Sequence, residues 1–237
     1  MIKFKTSGGV LKFKTTPLYY GSKVINKDIA FENLLIVKRI LDSHFIPFQL
    51  AYGTLLGAVR ENDFIDHDED IDLIILSEYK QFFIDLLPSF INEGFVVARY
   101  DRRGLLSIIK EGEYIDFYFF KKSDDGLREC SGLLCLANHI ENTSPFLFRE
   151  VEFSAPKNFE DFLLYEYGLD WRIPVQWHDY QMSGINRCLL FIKEIIKDLL
   201  PDYLYFKLVS RSEKILKETY KDKLSEYREN KRLHCEN

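Results

Sequence analysis

The run Phe64-Ile65-Asp66-His67-Asp68-Glu69-Asp70-Ile71-Asp72-Leu73 passes without a break into the apolar stretch Ile74-Ile75-Leu76. In an extended chain alternate side chains share a face. Asp66, Asp68, Asp70 and Asp72 are therefore expected together on one side, with Ile71, Leu73 and Ile75 turned into a core. Clustered carboxylates repel one another, and each favours its proton over its charge. A divalent cation relieves that conflict, and hard oxygen ligands suit magnesium, with manganese as the second choice. A solvated acidic edge strand is the plainer reading of the same letters. A calcium EF-hand loop is excluded, because Ile71 and Ser77, or Leu73 and Tyr79 in the other register, stand where glycine and glutamate are required. A metal-dependent glycosyltransferase also uses Asp-x-Asp, so the acidic pair needs a second constellation to be interpreted.

That constellation lies upstream, in Tyr52-Gly53-Thr54-Leu55-Leu56-Gly57-Ala58-Val59-Arg60. Phe48 to Tyr52 reads as a short strand ending at Gly53, and Thr54 to Arg60 as a one- or two-turn helix. A glycine there lets backbone amides approach a ligand, and a helix start presents unpaired N–H groups and a positive dipole end to an anion. Thr54 adds a hydroxyl and Arg60 a permanent cation suited to phosphate. Taken alone, Gly-Thr more often marks a simple turn. The third piece is Asp116, inside Tyr114-Ile115-Asp116-Phe117-Tyr118-Phe119-Phe120. A lone carboxylate in so apolar a strand is costly to bury unless paired or metal-bound. If this strand lies beside Ile71–Leu76, Asp116 completes a three-carboxylate site with Asp70 and Asp72; the alternative is an inward aspartate hydrogen-bonded to backbone.

Around these motifs the order is mixed. Lys3-Phe4-Lys5-Thr6 recurs as Lys12-Phe13-Lys14-Thr15 about Ser7-Gly8-Gly9, the pattern of a β-hairpin. A helix is expected from Asn26-Lys27-Asp28 through Ser43, and another from Tyr79 to Ile91. Strands are expected over Ile71–Leu76, Phe95–Tyr100, Leu105–Lys110 and Tyr114–Lys121, and helices over Asn158–Tyr167, Ile185–Leu200 and Tyr203–Tyr227. Hairpins outnumber βαβ repeats, which points to a mostly antiparallel sheet backed by helices on one face. In the helix from Ile185, an apolar stripe of Leu189, Ile192, Ile196 and Leu199 suits core packing or pairing of two copies, with peripheral membrane contact as the alternative.

Composition narrows the class. A chain of 237 residues buries roughly 70% of its unfolded surface and folds without staples. With 32 basic and 37 acidic side chains and a net charge of −5, it lacks the basic excess of a general nucleic-acid binder. Four cysteines show no paired spacing and read as thiols of a reducing compartment. Met-Ile-Lys-Phe-Lys-Thr is not a secretory signal, and no run reaches the ~18 apolar residues of a membrane span, so a cytoplasmic protein, at most peripheral to a membrane, is expected.

A strand, Gly-Thr, a short helix, an Asp-x-Asp strand and a third aspartate on a later strand together resemble the nucleotidyltransferase (polymerase-β-like) fold. The fuller wording, Tyr-Gly-Thr-Leu-Leu-Gly-Ala-Val-Arg followed by Phe-Ile-Asp-His-Asp-Glu-Asp-Ile-Asp-Leu, resembles the LicD family of bacterial phosphocholine transferases, which is similar to fukutin and fukutin-related protein. Val151–Pro156, Phe159-Glu160-Asp161-Phe162-Leu163 and Tyr167-Gly168-Leu169-Asp170-Trp171-Arg172-Ile173-Pro174 extend the likeness to about residues 27–180. Where the family commonly carries Trp-Asp-Asp-Asp, this chain has His67-Asp68-Glu69-Asp70, a change that bears on the transferred group and leaves the Asp-Ile-Asp pair intact.

The resemblance implies an α+β fold, a mixed sheet backed by helices: an N-terminal hairpin over residues 1–25, a catalytic core over 26–180 and a C-terminal helical region over 181–237. It implies an enzyme that moves a phospho-alcohol (phosphocholine, ribitol phosphate or glycerol phosphate) from a CDP-linked donor to a sugar hydroxyl of a bacterial surface glycan or lipid-linked saccharide, releasing CMP. Phosphoryl transfer asks mainly for alignment and charge neutralisation. Asp70 and Asp72 would hold Mg²⁺, Asp116 would be third ligand or base, and Gly53 and Thr54 would bind donor phosphates. Arg60, Asp68 and Trp171 are further substrate-site candidates. Asp66 is placed behind the site, Arg102, Arg103 and Lys110 are weaker phosphate contacts, and His67, His139 and His178 take no catalytic role. Two other readings compete: a nucleotidyltransferase moving NMP from an NTP, and a non-catalytic scaffold that binds nucleotide.

Overall fold

The computed structural model describes residues 2–16, 23–123, 126–174 and 184–235. At the N-terminus the two Lys-Phe-Lys-Thr copies form the expected hairpin, β1 (Ile2–Thr6) antiparallel to β2 (Gly9–Phe13), with Gly9 taking the turn at φ +128°. Its inward residues Ile2 and Phe4 are buried, and the Phe4 ring packs 4.8 Å from Tyr100, so the hairpin is docked on the main body.

Asn26 caps α1 (Lys27–Ser43), its side-chain oxygen accepting the Ile29 N–H at 3.3 Å. Ala30, Leu34, Val37 and Leu41, at helical spacing, are fully buried. The chain then runs through β3 (Gln49–Leu50), α2 (Tyr52–Glu61), β4 (Asp70–Leu76), α3 (Lys80–Asp85), α4 (Leu87–Asn92), β5 (Val96–Asp101), β6 (Leu105–Lys110) and β7 (Glu113–Lys122). The helix expected over 79–91 follows a 3-10 turn and is divided into two short helices at Leu86, where Pro88, in the first turn of the second, lacks an N–H to continue the first. β8 (Leu127–Cys130) and β9 (Leu133–Leu136) form a hairpin on the far end of β7. α5 (Ala137–Glu141), the hairpin β10 (Thr143–Phe148) and β11 (Val151–Pro156), and α6 (Phe159–Tyr167) come next, then α7 (Gly184–Leu199) and α8 (Asp202–Cys235).

The main sheet has the order β3-β4-β7-β6-β5, and its neighbours are antiparallel except for the central pair β4 and β7, which is parallel. It is the mixed, helix-backed sheet that the motifs imply. One face is an aromatic core: Phe83 of α3 lies 4.5 Å from Phe117 and 5.2 Å from Phe119, with Phe90 of α4 beside it. Strand alternation puts Asp116 and Tyr118 on the opposite face.

α7 departs from expectation. Leu189, Ile192, Ile196 and Leu199 are all exposed, so among the described residues the stripe is not core packing. The helix turns its polar side inward: Asp198 accepts a hydrogen bond from Thr15, Lys197 pairs with Glu194 at 2.6 Å, and Arg102 donates to the carbonyl of Lys197. His178 and the boundary expected between 180 and 181 lie outside the described residues.

Candidate active site

Parallel pairing of β4 with β7 places Asp70 opposite Tyr114 and Asp72 opposite Asp116. Residues directly opposed across a sheet share a face, and residues two apart on a strand share it too. Asp70, Asp72 and Asp116 therefore stand on one face, and Asp72 and Asp116 are only 6% and 2% exposed.

Asp72 is fixed from three sides. Its backbone N–H donates to Thr54 Oγ1 at 2.9 Å, its Oδ2 accepts the Gly53 N–H at 3.1 Å, and its Oδ1 accepts the Tyr118 hydroxyl at 3.2 Å. α2 begins at Tyr52, earlier than the sequence suggests, so Gly53 and Thr54 lie in its first turn. Tyr52 enters that turn at φ +42°, a left-handed conformation that a bulky residue holds only where the surroundings enforce it. Gly53 is needed for space as well: a Cβ there would come within 2.5 Å of Asp68 Oδ2. The positive end of α2 thus faces Asp72, and the buried Thr54 hydroxyl latches the helix to the strand.

Asp116 is held differently. Arg99 Nη2 lies 2.5 Å from its Oδ2, the Ser107 hydroxyl donates to Oδ1, and Arg99 Nε donates to Ser107 Oγ at 3.0 Å. All three residues are in lateral register across β5, β6 and β7. Sequence reasoning supplied the demand for a partner and missed Arg99. The signal was there: an arginine in the apolar run Phe95–Tyr100 is as out of place as an aspartate in Tyr114–Phe120.

Burial pushes both Asp70 and Asp72 well above the usual carboxylate range. Repulsion adds to it, for Asp70 from Asp72, Asp116 and Asp68, and for Asp72 from Asp68 and Asp116. Asp68 is pushed up to about 6, mainly by burial, and its Oδ2 has no hydrogen-bond partner. The Tyr118 hydroxyl is also pushed up, first by burial and then by Asp72.

Other candidates sit elsewhere. Residues 66 and 67 form a turn instead of continuing the strand, so Asp66 points outward and bonds Lys27 at 2.5 Å; it does not join the acidic face. Arg60, in the last turn of α2, pairs with Glu61 at 3.2 Å. Trp171 is packed in the core with the Arg172 guanidinium 4.2 Å over its ring. Arg102 and Arg103 lie beyond the other end of the strands, bound to Asp202 and Asp101. Lys110 rests over Phe95 on the other side of the sheet from Ser107. His139 is buried and bonds Asp161 at 3.0 Å, in a network with Tyr227 and Lys231 that ties α5 and α6 to α8.

Among the described residues no group of three or more His, Cys, Asp or Glu is placed to hold a metal ion, and Asp116 is engaged by Arg99 and Ser107. The remaining pair fits a smaller demand. Asp70 and Asp72 are desolvated, destabilised in their charged forms and flanked by the unpartnered Asp68 Oδ2. Magnesium is commonly held by one or two carboxylates together with substrate phosphates, and this donor set suits it.

Comparison with known proteins finds the following similarities. The chain is 24% identical over 169 residues to human "Ribitol-5-phosphate transferase FKTN" and 25% identical to the mouse protein. The match covers 66% of this chain and 36% of each relative. An uncharacterized protein of Rickettsia typhi is 30% identical over 86 residues, 36% of this chain and 26% of its own. Among solved structures, the antibiotic-resistance factor ANT(2″)-Ia superposes with a TM-score of 0.46 at 14% identity, covering 89% of this chain and 100% of the other. The lincosamide adenylyltransferase LnuA does so at 0.42 and 13%, covering 70% and 95%. Residues 46–158, which carry β3, α2 and all three aspartates, match the family described as LicD/FKTN/FKRP, nucleotidyltransferase domain, and it is this family that the central part of the chain resembles.

Proposed function

We propose that the chain is a phosphotransferase that moves a phospho-alcohol from a CDP-linked donor to a sugar hydroxyl of a bacterial surface glycan, with release of CMP. The observation that carries this reading is the Asp70–Asp72 pair facing Asp116 across parallel strands, beside the start of α2, within a LicD-type domain. Asp70 and Asp72 would hold Mg²⁺, or Mn²⁺ in its place. Bound there, the ion would neutralise pyrophosphate charge and favour departure of CMP.

The chain's own residues do the rest. Gly53 and Tyr118 hold the Asp72 carboxylate in one orientation, so little reorganisation is left for the reaction. Arg99 and Ser107 hold Asp116 next to the pair, where it takes up the acceptor hydroxyl and its proton. Arg99, beside Asp116 on the same face, supplies a fixed cation for the donor phosphates. In this reading the enzyme works in the cytoplasm. No helix among the described residues is long and apolar enough to cross a membrane, and the exposed stripe of α7 supports peripheral contact with a membrane that carries the acceptor.

The test is incubation with CDP-ribitol, CDP-glycerol, CDP-choline and the four NTPs in the presence of Mg²⁺, with mass-spectrometric identification of products. CMP release with a phospho-alcohol adduct is expected. Pyrophosphate release from an NTP would replace this reading with NMP transfer. Metal-independent nucleotide binding without turnover would replace it with a scaffold.

A further inference from the structure

On the face of the sheet away from the aspartates, a cavity of about 420 Å³ opens between the β5–β6 turn, the β8–β9 turn, the start of α3 and the first turns of α8. Phe119 in its wall is three residues along β7 from Asp116, roughly 10 Å at a strand's rise, and points to the other side. The cavity is therefore separate from the acidic site, and a role assigned to it stands independently of the phosphotransferase reading.

Its lining holds three donors, two of them buried atoms without a hydrogen bond of ordinary geometry. Asp101 clamps Arg103 through Nε at 3.1 Å and Nη2 at 2.8 Å, and Tyr205 in turn donates to Asp101 at 2.5 Å. This leaves Arg103 Nη1 buried without a hydrogen bond of ordinary geometry. Ser131 Oγ, whose neighbour is the Cys130 thiol, also lacks a hydrogen bond of ordinary geometry; it lies in a left-handed turn (φ +49°) whose N–H donates to the Arg103 carbonyl at 3.1 Å. The Lys80 ammonium lies 5.1 Å over the Tyr100 ring and 5.9 Å over Phe119, and among the described residues it pairs with no carboxylate. The cavity's acids face lysines: Glu129, whose Oε2 also lacks a hydrogen bond of ordinary geometry, lies 2.7 Å from Lys121 and 2.6 Å from Lys217, and Glu213 lies 3.8 Å from Lys217. A buried donor without an acceptor forfeits its solvation, a cost that a bound anion removes.

We propose that this cavity binds a phosphate-bearing small molecule, with Lys80, Arg103 Nη1 and Ser131 on the phosphate and Phe119 and Phe206 flanking the organic part. Donors delivered from three separate elements suit a tetrahedral oxyanion better than a planar carboxylate. The aromatic walls give a sugar or similar body a surface to lie on.

Calorimetric titration of the full chain in EDTA, which keeps divalent cations away from the aspartates, tests this with ribose 5-phosphate, inorganic phosphate and ribose as probes. Ribose 5-phosphate should bind, ribose should not, and inorganic phosphate should bind more weakly than the ester. Lys80→Met keeps an apolar stem on the two rings and removes the charge, and should weaken the ester about tenfold, a loss of ~1.4 kcal/mol. Ser131→Ala should weaken it several-fold, and Asp70→Asn should leave it unchanged. Undiminished binding in Lys80→Met, loss of binding in Asp70→Asn, or no binding by the unsubstituted chain would each overturn the assignment. Inorganic phosphate binding as tightly as the ester would overturn the role of the aromatic walls.

Discussion

Asp72 and Asp116 stand directly opposite each other on neighbouring parallel strands, and one is held by backbone and hydroxyl donors while the other is held by a guanidinium. The asymmetry predicts different consequences for their removal. Asp72→Asn keeps an oxygen for the Gly53 N–H and removes a buried charge repelled by Asp68 and Asp116. Turnover should fall by roughly 10²-fold or more, the scale of one preorganised group at a reacting centre. The melting temperature should stay level or rise. Product assays and thermal melts on one preparation check both halves, and full activity would remove Asp72 from the site.

Arg99 offers the converse case. Its side chain and that of Asp116 are 14% and 3% exposed, so Arg99→Met strands a buried carboxylate with Ser107 as its remaining side-chain donor. Breaking a buried pair from one side costs about 3–5 kcal/mol. Adding Asp116→Asn to Arg99→Met should return most of that loss. Urea unfolding of the two single variants and the double variant measures the coupling, and simple additivity would mean that the pair carries no shared energy.

The chemistry of the site was legible in the sequence wherever a residue type conflicted with its surroundings. Asp70 and Asp72 conflict with the apolar strand they begin, and Asp116 with the one it interrupts. Alternation identifies a face but not a neighbour, so Arg99 and Ser107 entered only with the register of β5, β6 and β7. The same limit explains Asp66. A strand needs a hydrogen-bonding partner, and β7 begins at Glu113, one residue before the Tyr114 that faces Asp70, so the residues around Asp66 have no strand to pair with and turn away. The β8–β9 hairpin was missed because its strands are four residues long, with Arg128 and Glu129 breaking the apolar pattern. For α7, periodicity revealed an apolar face and could not say whether anything covers it.

Gly53 and Asp68 should behave as one unit. A Cβ at Gly53 would meet Asp68 Oδ2 at 2.5 Å, and the helix cannot move aside without releasing Asp72. Gly53→Ala should therefore cost about 1–3 kcal/mol, the range for overpacking a filled site. Shortening the opposing side chain with Asp68→Ala should recover most of it, again read from urea unfolding. An equal penalty in both backgrounds would place the strain in the backbone of α2 instead.

Asp68 also gives the protein a measurable pH signature. Its folded-state pKa, about 6, lies above the ordinary 3.8, mainly through burial. A raised carboxylate means that the folded chain binds the proton more tightly than the unfolded chain does. Its contribution to stability is complete below pH ~4 and is lost as pH rises through 6. Above that, the metal-free protein carries an uncompensated charge whose Oδ2 lacks a partner. Asp68→Asn removes the charge and keeps the shape. In EDTA the variant should melt higher than the unsubstituted protein at pH 7.5, by up to about 3 kcal/mol of stability. The advantage should shrink steadily between pH 6 and 4 and vanish below that window. Melting curves across that range decide the matter, and a difference that does not vary with pH would show that Asp68 is solvated.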